Sequence, residues 1–128
     1  PIIAIECPAR PLLCVGGCGG YRRRVSDFAT SVERLLNQIH HWDERRWRAA
    51  PASGAGGTRS GLVQGLVQRL ADLGAEAEKR DSQPVPYVHD LVLRDQIRVL
   101  ADDILGAAPS VDLLDRATAV IDEVRATL

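Results

Sequence analysis

A chain of 128 residues with 45% apolar side chains has the length of one domain and enough apolar matter for a single core. Its formal net charge of −1 excludes an overall field that would draw it to nucleic acid or to an anionic membrane, and no apolar run approaches the roughly 20 residues that span a bilayer. Aromatic residues make up only 4%, so the core has to be built from Leu, Val, Ile and Ala, a composition that favours helices.

The charge is unevenly spread. Residues 1–50 carry eight basic and five acidic groups, and residues 51–128 carry eight basic and twelve acidic ones. Fifteen of the sixteen basic residues are Arg, a bias that fits a GC-rich bacterial coding sequence. Three cysteines, an odd number lying close together, do not make a secreted disulfide framework. The N-terminus lacks a basic region followed by a clean hydrophobic stretch and cleavage site. Together these features predict a cytoplasmic protein.

Residues 1–20 differ from everything after them. IIAI and LLCV are short apolar runs separated by CPARP and closed by GGCGG. They predict two short strands, with Pro8 and Pro11 opposing a helix and the glycines forming a joint into the first helix. A lone hairpin is marginal in water, so such an extended or β-hairpin arm has to pack on the helices or pair with a second copy.

Residues 21–48 form the longest helical pattern. Val25, Phe28, Val32, Leu35, Ile39 and Trp42 recur at steps of three and four, with Ala29 and Leu36 widening the stripe. The Arg22, Arg23, Arg24 run sits badly at a helix N-terminus, so the regular helix is expected to start at Ser26 or Asp27 and to run about 35 Å at ~1.5 Å per residue. This register puts Trp42 in the core and Trp47 off the stripe, among Arg45, Arg46 and Arg48. Pro51 and the glycines at 54, 56 and 57 end the helix in a flexible connection.

Ser60 or Thr58 caps a second predicted helix with Leu62, Val63, Leu66, Val67, Leu70 and Leu73 inward. Gly61 and Gly65 weaken it by about 1 kcal/mol each relative to Ala unless a neighbour packs closely over them. A third helix begins between Pro86 and Asp90 and runs to Leu105, with Leu93, Ile97, Leu100, Ala101 and Ile104 inward and Gly106 as its stop. Ser110 caps the last, which buries Leu114, Ala117, Ile121, Val124 and Leu128, flanked by Leu113 and Val120. The AAPS turn between them predicts an antiparallel helical hairpin. The expected fold is all-α: a four-helix bundle over residues 21–128 behind an N-terminal arm over residues 1–20.

Candidate chemistry is sparse. Cys7, Cys14 and Cys18 are able to hold a soft transition metal only with a fourth ligand from elsewhere, because their spacing lacks the close pairs of closed zinc sites. Small buried thiols, or a redox pair between Cys14 and Cys18, are the other readings. VGGCGGYRRR has a Gly-rich turn before a helix, but lacks both the full G-x-G-x-x-G pattern and G-K-[ST], so nucleotide binding is not supported. His40, His41, Asp43 and Glu44 form the densest set of metal-capable side chains, on the flank of the helix rather than its core face; a surface ion-paired patch competes with a metal or acid–base site.

Pro1 followed by IIAIE resembles the start of the tautomerase superfamily, in which the N-terminal proline amine is the catalytic base. The resemblance ends there, because a Pro-rich turn, a glycine joint and helices follow in place of that family's helix and parallel second strand.

With no catalytic set and no cofactor predicted, the sequence favours a non-enzymatic helical module that binds a protein partner or itself, with Trp47, Arg45 and Arg48 as the interface. The alternative is a metal- or thiol-dependent protein using either cluster. Nucleic acid and membrane are not expected partners.

Overall fold

A computed structural model describes residues 11–54 and 56–128, with side chains from residue 20 onward. The described residues are helical or irregular, with no strand among them: α1 (Pro11–Ile39), α2 (Glu44–Arg48), α3 (Arg59–Ala77), a 3-10 turn (Asp90–Val92), α4 (Leu93–Gly106) and α5 (Val111–Thr127). All-α therefore stands as the fold class.

The N-terminal expectation is corrected. LLCV is not a strand, and the glycines are not a joint; α1 runs through both from Pro11. Proline at the first helical position lacks only an N–H that would have no helical partner anyway, and its fixed φ already suits the helix. The division at residue 20 therefore falls inside a helix. The IIAI strand, Pro1 and Cys7 lie outside the described residues.

The other end of α1 differs too. The helix stops at Ile39, the amide of Trp42 bonds back to the Ile39 carbonyl at 3.2 Å, and Asp43 restarts the chain as the N-cap of α2, accepting the Arg46 amide at 2.9 Å. A short Asp side chain in extended backbone is among the strongest helix-start signals. Because the restart resets the register, Trp47 does not project where a continuous helix would send it. Expected outside the core as a contact residue, Trp47 is completely buried; Trp42 is 7% exposed, and the two rings meet edge to face at 4.9 Å. Arg59 stacks over the other tryptophan, Trp42, at 5.5 Å.

The remaining stripes fall largely where their spacing puts them, although Val25, Leu62, Leu73 and Leu100, expected inward, are only half-buried at the edge of the core. Phe28, Val32, Leu35 and Ile39 of α1 join Val63, Leu66, Val67 and Leu70 of α3, Leu93, Ile97, Ala101 and Ile104 of α4, and Leu114, Ala117, Ile121 and Val124 of α5 in one core. Thr58 caps α3 by accepting the Gly61 amide at 3.0 Å, and Ser110 caps α5 by accepting that of Leu113 at 3.1 Å. The expected close packing over Gly61 and Gly65 is absent: a Cβ at Gly65 would meet nothing within 4 Å, and at Gly61 only Thr58 Oγ1 at 3.5 Å. The glycine that does face a neighbouring helix is Gly74, where a Cβ would meet Ile104 Cγ1 at 3.7 Å. Nor is Gly106 the residue that turns the chain after α4; Ala108 does so at φ +50°.

Cross-helix bonds fix the directions. Glu33–Arg98 and His40–Arg94 set α1 antiparallel to α4, and Arg69–Glu123 with Glu76–Arg116 set α3 antiparallel to α5. Ser60–Asp90 and Gly74–Ile104 make α3 and α4 parallel. The packed pairs are α1 with α5, α5 with α3, α3 with α4, and α4 with α1. Thus α4 and α5 run in opposite directions but do not pack along one another as the predicted hairpin; the short turn carries the chain across to a diagonal position.

Parallel α3 and α4 require a connection that travels the length of the bundle. Residues 78–89 supply it as an extended strap laid along α3. The strap begins in a C-terminal turn with Lys79 at φ +56°, where the Arg80 amide reaches the Ala75 carbonyl at 2.9 Å. Gln68 then clamps it from both sides of its amide, donating to the Gln83 carbonyl at 3.1 Å and accepting the Val85 amide at 2.7 Å. The earlier connection between α2 and α3 is pinned as well, through Ala52 to the Leu128 carbonyl at 3.0 Å and Arg59 to Ala49 at 3.0 Å.

Candidate interaction surface

The strap ends in a buried polar knot. Ser60, at the start of α3, donates to Asp90 Oδ1, Tyr87 donates to the same oxygen at 2.7 Å, and Gln64 donates to Ser60 Oγ at 2.9 Å. Ser60 and Asp90 are each only 7% exposed. Two hydroxyl donors on one carboxylate satisfy a group whose burial would otherwise be costly. The hydrogen bond to Asp90 holds the Tyr87 hydroxyl above its ordinary value of 10.0, since ionisation would turn a donor into a second anion beside the carboxylate. No imidazole stands between Ser60 and Asp90, and His89 Nδ1 instead accepts the Leu91 amide at 3.1 Å. The knot is a tether rather than a nucleophile with its base.

Tethering has a consequence at the surface. With its hydroxyl drawn toward Asp90, Tyr87 remains 52% exposed, next to Val88 at 64% and Leu91 at 42%. Farther back along the strap, Gln96 donates to the Pro86 carbonyl at 3.3 Å, which seats this segment against α4. Between the two lies a groove of about 240 Å³ lined by Val85, Asp95, Gln96, Val99 and Leu100. Val99 is 57% exposed. Apolar side chains held in the open on a fixed backbone are characteristic of contact surfaces.

A second groove of about 620 Å³ lies between α3 and α5. Leu73, Ala119 and Val120 line it, but its charged rim is satisfied internally: Arg69 bonds Glu123 at 3.4 Å, and Arg116 bonds both Glu76 and Asp112. The hydrogen bond from Arg116 holds the Glu76 carboxyl below its ordinary 4.5, as Ser82 and then Gln68 hold Asp72 below 3.8.

The sequence-derived candidates are dispersed to other tasks. His40 and His41 are exposed, their rings edge to face at 4.8 Å, and Arg94 donates to the His40 carbonyl at 2.9 Å. Asp43 caps α2, and Glu44 pairs with Arg48 at 2.8 Å. Among the described residues no group of three or more His, Cys, Asp or Glu converges as a metal cage would require. Cys14 and Cys18 occupy backbone positions one turn apart in α1, and Cys7 lies outside the described residues. Arg45 and Arg48 are exposed as expected, whereas Trp47 is not available to a partner.

The strap surface had a trace in the sequence, the apolar run VPYV between Gln83 and His89, but its exposure depends on where Asp90 is anchored. Comparison with protein-family models, curated proteins and solved structures gave no match. No helix among the described residues is long and apolar enough to cross a membrane.

Proposed function

We propose that this chain is a non-enzymatic interaction module, a four-helix bundle whose strap presents an apolar surface to a protein partner. The observation that carries the reading is the run Tyr87, Val88 and Leu91, 52%, 64% and 42% exposed, on a segment fixed at both ends by hydrogen bonds. Burying three such side chains on association would contribute roughly 25 cal/mol per Å² of apolar surface removed from water, less the cost of association itself.

The test is site-specific photo-crosslinking in cells that produce the protein. A photoreactive residue at Val88 or Leu91 is expected to give a discrete adduct, and the same residue at exposed Asn37 of α1 none. Equal labelling at both places, or no adduct at Val88 and Leu91 together with a monomer at every concentration in light scattering, would remove the proposal.

A further inference from the structure

The charges beside the strap groove restrict what can occupy it. On α4, Val99 lies four residues after Asp95 and three and four before Asp102 and Asp103, so they share one flank, and all four are exposed. The basic residues of the same helix are turned the other way, toward α1: Arg94 donates to the His40 carbonyl at 2.9 Å and Arg98 to Glu33 at 2.6 Å. Arg98 is also attracted by Asp102, but among the described residues neither Asp95 nor Asp103 has a cationic partner within ion-pair distance. The groove is therefore apolar at its base, through Val85, Val99 and Leu100, and anionic at one rim through Asp95, with Asp103 eight residues farther along the same flank of α4.

Size argues against a small-molecule pocket. At about 240 Å³ the groove falls below the ~300–1,000 Å³ usual for such sites, and suits an aliphatic side chain or two. Charge argues against a second copy docked face to face, because both copies would bring the same uncompensated acids, Asp95 and Asp103, to one shared surface.

Resting on the interaction reading above, we infer that the groove between strap and α4 receives a cationic amphipathic segment of another protein, with aliphatic side chains against Val99 and Leu100 and Lys or Arg opposite Asp95 and Asp103. The apolar contact supplies affinity, and the unpaired acids select among apolar partners by sign.

The experiment titrates the isotope-labelled full chain, at physiological ionic strength, with two short amphipathic helical peptides, one of Leu and Lys and one of Leu and Glu, following backbone amide shifts. The Leu/Lys peptide is expected to shift amides within residues 85–103 and to bind about tenfold tighter than the Leu/Glu peptide. Val99→Ser, an exposed substitution that leaves the core intact, should weaken it by about tenfold, and Asp95→Lys by a similar factor. Equal binding of both peptides to these residues would overturn the charge inference and leave the interaction surface standing. Shifts elsewhere on the chain, indifference to Val99→Ser, or binding of neither peptide would overturn the groove as the docking site, whereas the fate of the broader reading is decided by the crosslinks at Val88 and Leu91.

Discussion

Replacing Trp47 by alanine should be among the most damaging single changes in this protein. Its indole is completely buried, on a helix of five residues that has too few turns to hold itself. Truncation removes the ring, opens a cavity and frees α2 from α3, so the cost is about 3–5 kcal/mol, a large share of the ~5–15 kcal/mol that holds most domains together. Trp42→Ala should lose a comparable but smaller amount, because Trp42 keeps 7% exposure and part of its contact is with the Arg59 guanidinium. Trp47→Phe should cost far less than Trp47→Ala. Among the described residues the buried indole nitrogen has no hydrogen-bond partner, and phenylalanine removes that unpaired donor while keeping an aromatic edge against Trp42. Urea denaturation followed by circular dichroism at several protein concentrations measures all three. A loss under about 1 kcal/mol for Trp47→Ala would refute the burial argument, and a loss that shrinks as protein concentration rises would return Trp47 to an interface.

Ala108→Gly should stabilise by about 1 kcal/mol, because Ala108, two residues past the end of α4, sits at φ +50°, where a Cβ is strained; a destabilisation in thermal melts would count against that backbone geometry. Gly65→Ala should stabilise α3 by a similar ~1 kcal/mol, since a Cβ there meets nothing within 4 Å, and a loss would reveal a neighbour packed over it. Acid should weaken the fold in a defined window. Glu33, held below 4.5 by hydrogen bonding and then charge from Arg98, and Glu76, held below 4.5 mainly by its hydrogen bond from Arg116, favour the folded state above that ordinary value, and the contribution is lost as pH falls through the lowered one. Arg98→Gln should therefore flatten the acid limb of stability against pH in low salt, and an unchanged slope would show that the pair is fully screened. Asp90→Ala should cost about 1–3 kcal/mol by stranding the Ser60 hydroxyl and should raise hydrogen exchange across residues 82–92; exchange confined to residue 90 would mean that the knot does not hold the strap.

The candidate interaction surface was only half legible in the sequence. The VPYV run is visibly apolar, but so is Leu93, which is buried, and nothing local distinguishes Val88 from Leu93. What separates them is Asp90, drawn inward by Ser60 from thirty positions earlier in the chain, which turns the residues on either side of it outward. Trp47 misled for a related reason. Its register was read along a single helix, and the Asp43 cap that breaks that helix is a strong local signal that the unbroken apolar stripe through Trp42 outweighed.

The sequence by itself determined the all-helical class, the buried faces of α1, α3, α4 and α5, and the cap at Ser110, and narrowed the cap of α3 to Thr58 or Ser60, because helical periodicity and capping are local properties, set within a turn or two. Tertiary structure alone decided that α3 and α4 run parallel, that α4 and α5 sit diagonally despite a short turn, and that a strap crosses the length of the bundle. Those outcomes depend on which apolar stripe meets which. All four stripes here are built from the same Leu, Val, Ile and Ala, so only their simultaneous packing, with the polar ties from Gln68, Ser60 and Arg98, selects one arrangement from several of similar burial.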